Sequence, residues 1–311
     1  MRVVFFGTPE FAVPSLRALI GEGFDVAAVV TRPDKPRGRS RSRSLPSAVK
    51  VAALEEDIQV VHPTRPSEPG FLETLQAFKP DIGVVVAYGH ILKPDILAVP
   101  HLGFVNVHAS SLPKLRGAAP IQYAILEGLD ETCISIMKME AGLDSGPVLL
   151  RVPTPMATDE TYGELSVRLA ELGALALIQG LQLIALDMAE WEAQDETHAT
   201  HAPKITRETA RIDWNDSAED TARRVRAMDP VPGAWTQLKG MDVKLFGPSG
   251  ADLPVGSGPP PGEIVETRPA LVIAAGDGAL QFLDVQPAGK RRMAATDWVT
   301  GRGASVGQRF T

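Results

Sequence analysis

Up to about residue 188 the chain alternates short apolar runs with helical patterns, and that alternation constrains its fold more than any other feature. Residues 2–6, Arg-Val-Val-Phe-Phe, read as a buried strand. Gly7-Thr8-Pro9-Glu10 reads as a turn into a helix, with Thr8 as N-cap and Pro9 at the first helical position. That helix should stop at Gly21-Glu22-Gly23, and 26–30 supplies the next strand. Further strands are expected at 59–61, 82–86, 104–108, 132–139 and 148–152, and further helices at 48–56, 71–78, 94–98, 120–127 and roughly 160–186. The βαβ succession predicts an α/β fold with a mostly parallel sheet and helices on both faces. The opening turn carries only Gly7 where a dinucleotide fingerprint needs G-x-G-x-x-G, which argues against NAD at this position.

After Met188 the composition changes. Residues 189–206 are polar and irregular and read as a linker. Beyond them come an Arg-rich helix over 219–228 and short strands at 234–238, 242–246, 263–266, 270–275 and 279–285, with turn signals between. That spacing predicts a small all-β barrel. The expected organisation is therefore residues 1–188, a linker 189–206, and a second domain 207–311, within the range that 311 residues allow.

Several classes are disfavoured. The most apolar long stretch, 169–188, is interrupted by Glu171, Gln179, Gln182 and Asp187 and suits a buried helix better than a membrane span. The N-terminal apolar run is too short for a signal peptide. Cys133 is the one cysteine, so no disulfide is expected and the cytoplasm is the natural compartment. It lies in an alternating strand-like run and reads as packing. His62, His90, His101, His198 and His201 show no metal-ligand spacing, so no metal is expected.

Net charge is −7, which on average disfavours a nucleic-acid partner, yet residues 32–50 hold seven basic side chains against one acid, Asp34. Lys35, Arg37, Arg39, Arg41 and Arg43 are interleaved with Ser, Gly and Pro, leaving no apolar face to bury. A mobile loop is expected over about 34–47, either a solvated insertion or a segment drawn to the phosphates of RNA. Arg223, Arg224 and Arg226, and again Lys290, Arg291 and Arg292, form weaker clusters that are either RNA-facing or ordinary surface charge.

The chemistry concentrates in 103–120. Asn106 and His108 are two apart on the predicted strand 104–108, so their side chains share a face where the strand yields to a loop, a position at which open α/β sheets bind ligands. Capping of the strand end is the plainer alternative. Asp144, in the tight loop Gly142-Leu-Asp-Ser-Gly146, is expected beside them through parallel-sheet geometry. A carboxylate orients an imidazole and favours its positive charge, while an amide and an imidazole can both donate to an oxygen that gains charge in acyl transfer. With no well-placed nucleophile apart from Cys133, direct attack by a substrate amine is favoured. Ser110 and Ser111 are either nucleophiles or, preferably, binding residues.

Asn106-Val-His108-Ala-Ser110-Ser-Leu-Pro113-Lys-Leu-Arg116-Gly-Ala-Ala-Pro-Ile121, followed by Gly142-Leu-Asp144-Ser-Gly146, resembles the folate-dependent formyltransferases. The resemblance runs nearly end to end, through Phe6-Gly-Thr-Pro-Glu-Phe11, Arg32-Pro-Asp34, Val84-Val-Val-Ala-Tyr-Gly89, Ala210-Arg-Ile-Asp-Trp214 and Gln286-Pro-Ala-Gly-Lys290. It implies a Rossmann-like catalytic domain with Asn106, His108 and Asp144 as catalytic residues. It also implies a folate-binding segment at Ser110, Ser111, Leu112 and Pro113, where Ser111 departs from the family's usual Leu, and an OB-like C-terminal domain. The basic loop, with Lys35, Arg37, Arg39, Arg41 and Arg43, falls on the family's tRNA clamp. The implied reaction moves a formyl group from 10-formyltetrahydrofolate to the α-amino group of methionyl initiator tRNA, giving the formylated tRNA used in translation initiation. A monomeric enzyme is expected. The alternative acceptor is a small amine, glycinamide ribonucleotide or an amino-sugar nucleotide.

Overall fold

A computed structural model describes residues 1–37, 43–253 and 258–311, which divide into two compact units. The first holds residues 1–120, 131–155 and 166–203; the second holds 121–130, 156–165 and 204–311.

In chain order the strands of the first unit are β1 (Arg2–Gly7), β2 (Asp25–Val30), β3 (Lys35–Arg37), β4 (Arg43–Leu45), β5 (Val60–Val61), β6 (Ile82–Val86), β7 (Phe104–His108), β8 (Arg116–Gly117), β9 (Glu131–Lys138), β10 (Val148–Pro155) and β11 (His201–Ala202). The helices are α1 (Val13–Gly21), α2 (Ala48–Glu55), α3 (Phe71–Ala77), α4 (Pro94–Leu97), α5 (Pro120–Leu126) and α6 (Tyr162–Ala185), the last two shared with the second unit. A seven-stranded sheet runs β10-β9-β7-β6-β1-β2-β5. Its β5-to-β7 portion is parallel, and β9 and β10 add antiparallel strands at one edge. The parallel strands β1 and β6 are almost wholly apolar because helices cover such sheets from both sides. On one face Phe6 is the hub, meeting Phe71, Tyr88 and Phe104 edge to face at ring centroid distances of 6.3, 5.2 and 5.4 Å. Helix α6 is long and apolar enough to span a bilayer by length and composition alone, but Leu165, Leu169, Leu177 and Leu181 are buried within the protein.

Three expectations are amended. Thr8 does not cap the first helix: a 3-10 turn, Glu10–Ala12, intervenes, and the Thr8 hydroxyl donates to the Tyr88 carbonyl at 3.1 Å. The basic segment is not a loop throughout, since β3 and β4 pair as an antiparallel hairpin, Lys35 opposite Leu45 and Arg37 opposite Arg43. Backbone pairing of this kind needs no apolar face. Arg39 and Arg41 lie outside the described residues. Third, of the stretch 189–206 read as a linker, residues 189–203 are part of the first unit and pair with its strands: Glu192 and Val148 exchange backbone hydrogen bonds of 2.8 and 2.9 Å, and β11 pairs with β8.

The second unit contains α7 (Ala218–Met228), β12 (Trp235–Leu238), β13 (Met241–Ala251), β14 (Ile264–Glu266), β15 (Leu271–Ala274), β16 (Ala279–Pro287), β17 (Met293–Ala294) and α8 (Ala295–Thr300). The sheet order is β12-β13-β16-β15-β14, with β17 on β16. All of these pairings are antiparallel. Residues 308–311 close it. Gln237 and Thr311 exchange backbone hydrogen bonds on the β12 side, while the Gln308 carbonyl and the Phe310 N–H bond to Ile264 and Gly262 on the β14 side. This closing segment gave no strand signal in the sequence.

Candidate active site

The site is built at the end of β7, entirely within the first unit. Phe104, Asn106 and His108 alternate with Val105 and Val107, so the pleat puts the amide and the imidazole on the face that carries Phe104. Both are buried, Asn106 at 8% exposure and His108 at 5%. Buried polar side chains are normally hydrogen-bonded. Among the described residues the Asn106 amide has no such partner.

Asp144 arrives by a route other than the one expected. β9 is antiparallel to β7, pairing Lys138 with Val105 and Ser135 with His108, so the loop after β9 leaves the sheet beside the start of β7. The loop doubles back along the strand to bring the Asp144 carboxylate 3.8 Å from His108 Nδ1. Gly146 permits the reversal, because a Cβ there would meet the Lys138 carbonyl oxygen at 1.9 Å. Asp144 takes a left-handed conformation, φ 49°, which aspartate tolerates better than most residues. Its carboxylate also accepts the Gly117 N–H at 2.8 Å. Gly117 has φ 125°, and a Cβ on it would lie 2.6 Å from the Ala202 carbonyl oxygen, so only glycine fits between β8 and β11.

His108 has a neighbour on each ring nitrogen. Nε2 lies 3.0 Å from the Leu115 carbonyl oxygen, and since a carbonyl only accepts, Nε2 carries a proton there. Nδ1 faces Asp144. Of the two donors expected for a developing oxyanion, Asn106 is therefore unengaged, while the Nε2–H of His108 is held by Leu115.

The segment 110–113 is largely inward-facing. Ser110 and Leu112 are each 1% exposed. The Ser110 hydroxyl donates to the Lys114 carbonyl at 2.6 Å, and its own carbonyl accepts from the Ser135 hydroxyl at 2.7 Å. Leu112 packs on Met137 and Val148, the Leu112–Pro113 peptide is cis, and Ser111 is exposed. Cys133 is buried, and burial pushes its thiol pKa upward, away from the thiolate a nucleophile needs.

Sequence reading missed Arg116 and Gln194. The Arg116 guanidinium, 4% exposed, sends Nε and Nη2 to Gln194 Oε1 at 3.0 and 2.8 Å, and Nη2 and Nη1 to the Glu196 carboxylate at 2.8 and 2.9 Å. That hydrogen bonding holds the exposed Glu196 carboxyl below the usual carboxylate range. A charged residue in the loop directly after the strand was the available signal for Arg116; Gln194, in a polar stretch far along the chain, gave none.

The weaker basic clusters are largely paired within the second unit. Arg223 meets Glu219 and Asp220, Arg224 meets Asp216, and Arg292 bridges Asp229 and Asp284 while stacking on Phe246 at 4.1 Å.

Comparison with known proteins places both units. A formyl transferase family model matches residues 1–181, and one for the formyl transferase C-terminal domain matches 204–303. A methionyl-tRNA formyltransferase of Methylococcus capsulatus is 47% identical over 310 residues, covering 100% of this chain and 99% of that protein. One from Pseudomonas entomophila is 44% identical over 303 residues, covering 97% and 96%. Among solved structures, HypX from Aquifex aeolicus in complex with tetrahydrofolic acid superimposes with a TM-score of 0.65 at 18% identity, a likeness of fold. It covers 98% of this chain, which spans 48% of that longer one.

Proposed function

This chain belongs to the formyl transferase family, and we propose that it transfers a formyl group from 10-formyltetrahydrofolate to the α-amino group of methionyl initiator tRNA. One observation supports the chemistry: His108 and Asp144 meet at the end of β7, and the Asn106 amide, on the same strand face, has no hydrogen-bond partner among the described residues. That amide fits an oxygen arriving with a ligand. The folate supplies the formyl carbon and, at N10, the leaving nitrogen. The acceptor amine, with an ordinary pKa near about 8, is neutral often enough to attack. A carbon–nitrogen bond forms to the amine and the bond to N10 breaks, while the proton lost by the amine is made good at N10. The Asn106 N–H donates to the formyl oxygen as it gains negative charge. His108 releases its bond to Leu115 to take part in the proton transfer, oriented by Asp144.

In this reading Ser110–Pro113 shapes the folate side of the site, with Ser111 its exposed member. The basic segment holds the tRNA through Lys35, Arg37, Arg39, Arg41 and Arg43, joined by the C-terminal barrel. The enzyme works as a monomer in the cytoplasm, where initiator tRNA is charged; light scattering at assay concentration tests the first of these.

The acceptor is tested with labelled 10-formyltetrahydrofolate offered alongside methionyl-tRNA, glycinamide ribonucleotide or an amino-sugar nucleotide. Transfer to methionyl-tRNA is expected. Transfer to a small amine alone would replace the proposed acceptor, and no transfer to any would sink the enzymatic reading.

A further inference from the structure

The segment from Glu192 to Ala202 behaves as a strap across the site. Its first member pairs with Val148 at the start of β10, and its last two residues pair with Arg116 and Gly117. Between them, each of the two groups that flank the His108 ring is tied to it.

Gln194 Nε2 donates to the carbonyl oxygens of Asp144 at 2.8 Å and Gly146 at 2.7 Å, so both of its N–H bonds fasten the loop that carries the Asp144 carboxylate. Its Oε1 accepts twice from Arg116. The amide has one workable orientation, because a guanidinium only donates and backbone carbonyls only accept. On the other side of the ring, Leu115, whose carbonyl faces His108 Nε2, donates its N–H to Thr200 Oγ1 at 2.9 Å. Leu115 and Asp144 both have positive φ, 57° and 49°. Such conformations persist where the surroundings over-determine them.

We propose that Gln194 is a positioning residue for the transfer reaction: held by Arg116, it fixes the Asp144 loop so that the carboxylate stays on His108 Nδ1. This inference rests on the formyl-transfer reading for its kinetic consequence, while the geometry it asserts at His108 does not depend on turnover.

Gln194→Glu is the informative variant, since it keeps an oxygen for Arg116 but puts a second oxygen where the two loop carbonyls need a donor. Misplacing a catalytic group by about 1 Å costs up to roughly 100-fold. The variant is accordingly expected to lose about 10- to 100-fold in kcat, with KM for folate and for methionyl-tRNA within about twofold. In an Asp144→Asn background the same change should cost little more, because residues acting through one another are not additive. Ring-¹⁵N spectra of histidine-labelled protein supply a readout free of activity: Gln194→Glu should displace the His108 Nδ1 resonance as Asp144→Asn does. An unchanged Nδ1 resonance, wild-type kcat in the folded variant, or an undiminished further loss in the Asp144→Asn background would each overturn the proposal. Gln194→Met, which brings no charge to the carbonyls, carries the same three measurements should Gln194→Glu fail to fold. Wild-type protein inactive on methionyl-tRNA and on the small amines would instead refute the formyl-transfer reading and leave the spectra to decide the positioning role.

Discussion

Two polar clusters in this protein look alike in composition and differ in where their unused bonding capacity lies. On α7 of the second unit, Arg223 and Arg224 meet carboxylates from their own helix or the turn before it. The atoms left without a partner there, Arg224 Nε and Arg226 Nε, are sealed inside the protein. At the end of β7, Arg116, Gln194 and Asp144 are well satisfied, while the Asn106 amide, on the same strand face as His108, makes no hydrogen bond to any described residue. An unpaired polar atom sealed from water costs about 1–3 kcal/mol, and the Asn106 amide is not among the atoms so sealed. Capacity left unused within reach of a ligand therefore distinguishes the site from the helix.

Substitutions separate the two kinds of cluster, and the largest effect is expected at Asn106. Asn106→Ala should lower kcat by roughly 100- to 1000-fold, the usual loss for one oxyanion donor, with the thermal midpoint little changed. Steady-state kinetics with methionyl-tRNA and a melt check both halves; near-wild-type turnover removes Asn106 from the chemistry.

Next comes the basic segment. Replacing Arg37, Arg39, Arg41 and Arg43 by Ala should raise KM for tRNA by about tenfold or more and flatten its dependence on salt, since every phosphate left without its cation takes about one unit from the log–log slope. The KM for folate should not move. Titration of KM against salt concentration is the measurement, and an unchanged slope would dismiss the clamp.

Tyr88 gives a smaller effect of opposite sign. Its hydroxyl is buried without a partner among the described residues, and burial pushes its pKa up to about 12. Tyr88→Phe should therefore stabilise the fold by about 1 kcal/mol in urea unfolding. The unfolded chain loses this proton near pH 10, before the folded one does, so wild-type stability should fall as pH rises from about 10 to 12. The Phe variant should lack that part of the decline. Smallest of all, Arg223→Ala should cost no more than about 1 kcal/mol, as exposed ion pairs do, and leave tRNA kinetics unaltered. A clear rise in KM there would mean that the helix pairs are not its whole use.

The sequence made most of the elements legible, because apolar period and turn residues act locally. β7 with Asn106 and His108 on one face follows from a two-residue spacing, and the strands of the second unit from their turns. What escaped depended on distant pairing. β9 running against β7, and hence the folded-back path of Asp144, is a matter of register between segments some 30 residues apart. Gln194 lies 50 residues from Asp144, and no local pattern marks a side chain whose partners are backbone carbonyls that far away. Thr8 has the right residue type for a cap, but the carbonyl of Tyr88, 80 positions on, claimed its hydroxyl.

The closure of the second sheet by residues 308–311 makes the order of synthesis matter. β12 and β14 are made long before the segment that seals them, and until Phe310 and Thr311 are in place β14 and the Gln237 end of β12 present open edges of the sort that pair with other chains, the Trp235 end being held by Ala210 and Ile212. A chain cut short by only four residues would keep every named strand and helix and still behave as an aggregation-prone protein.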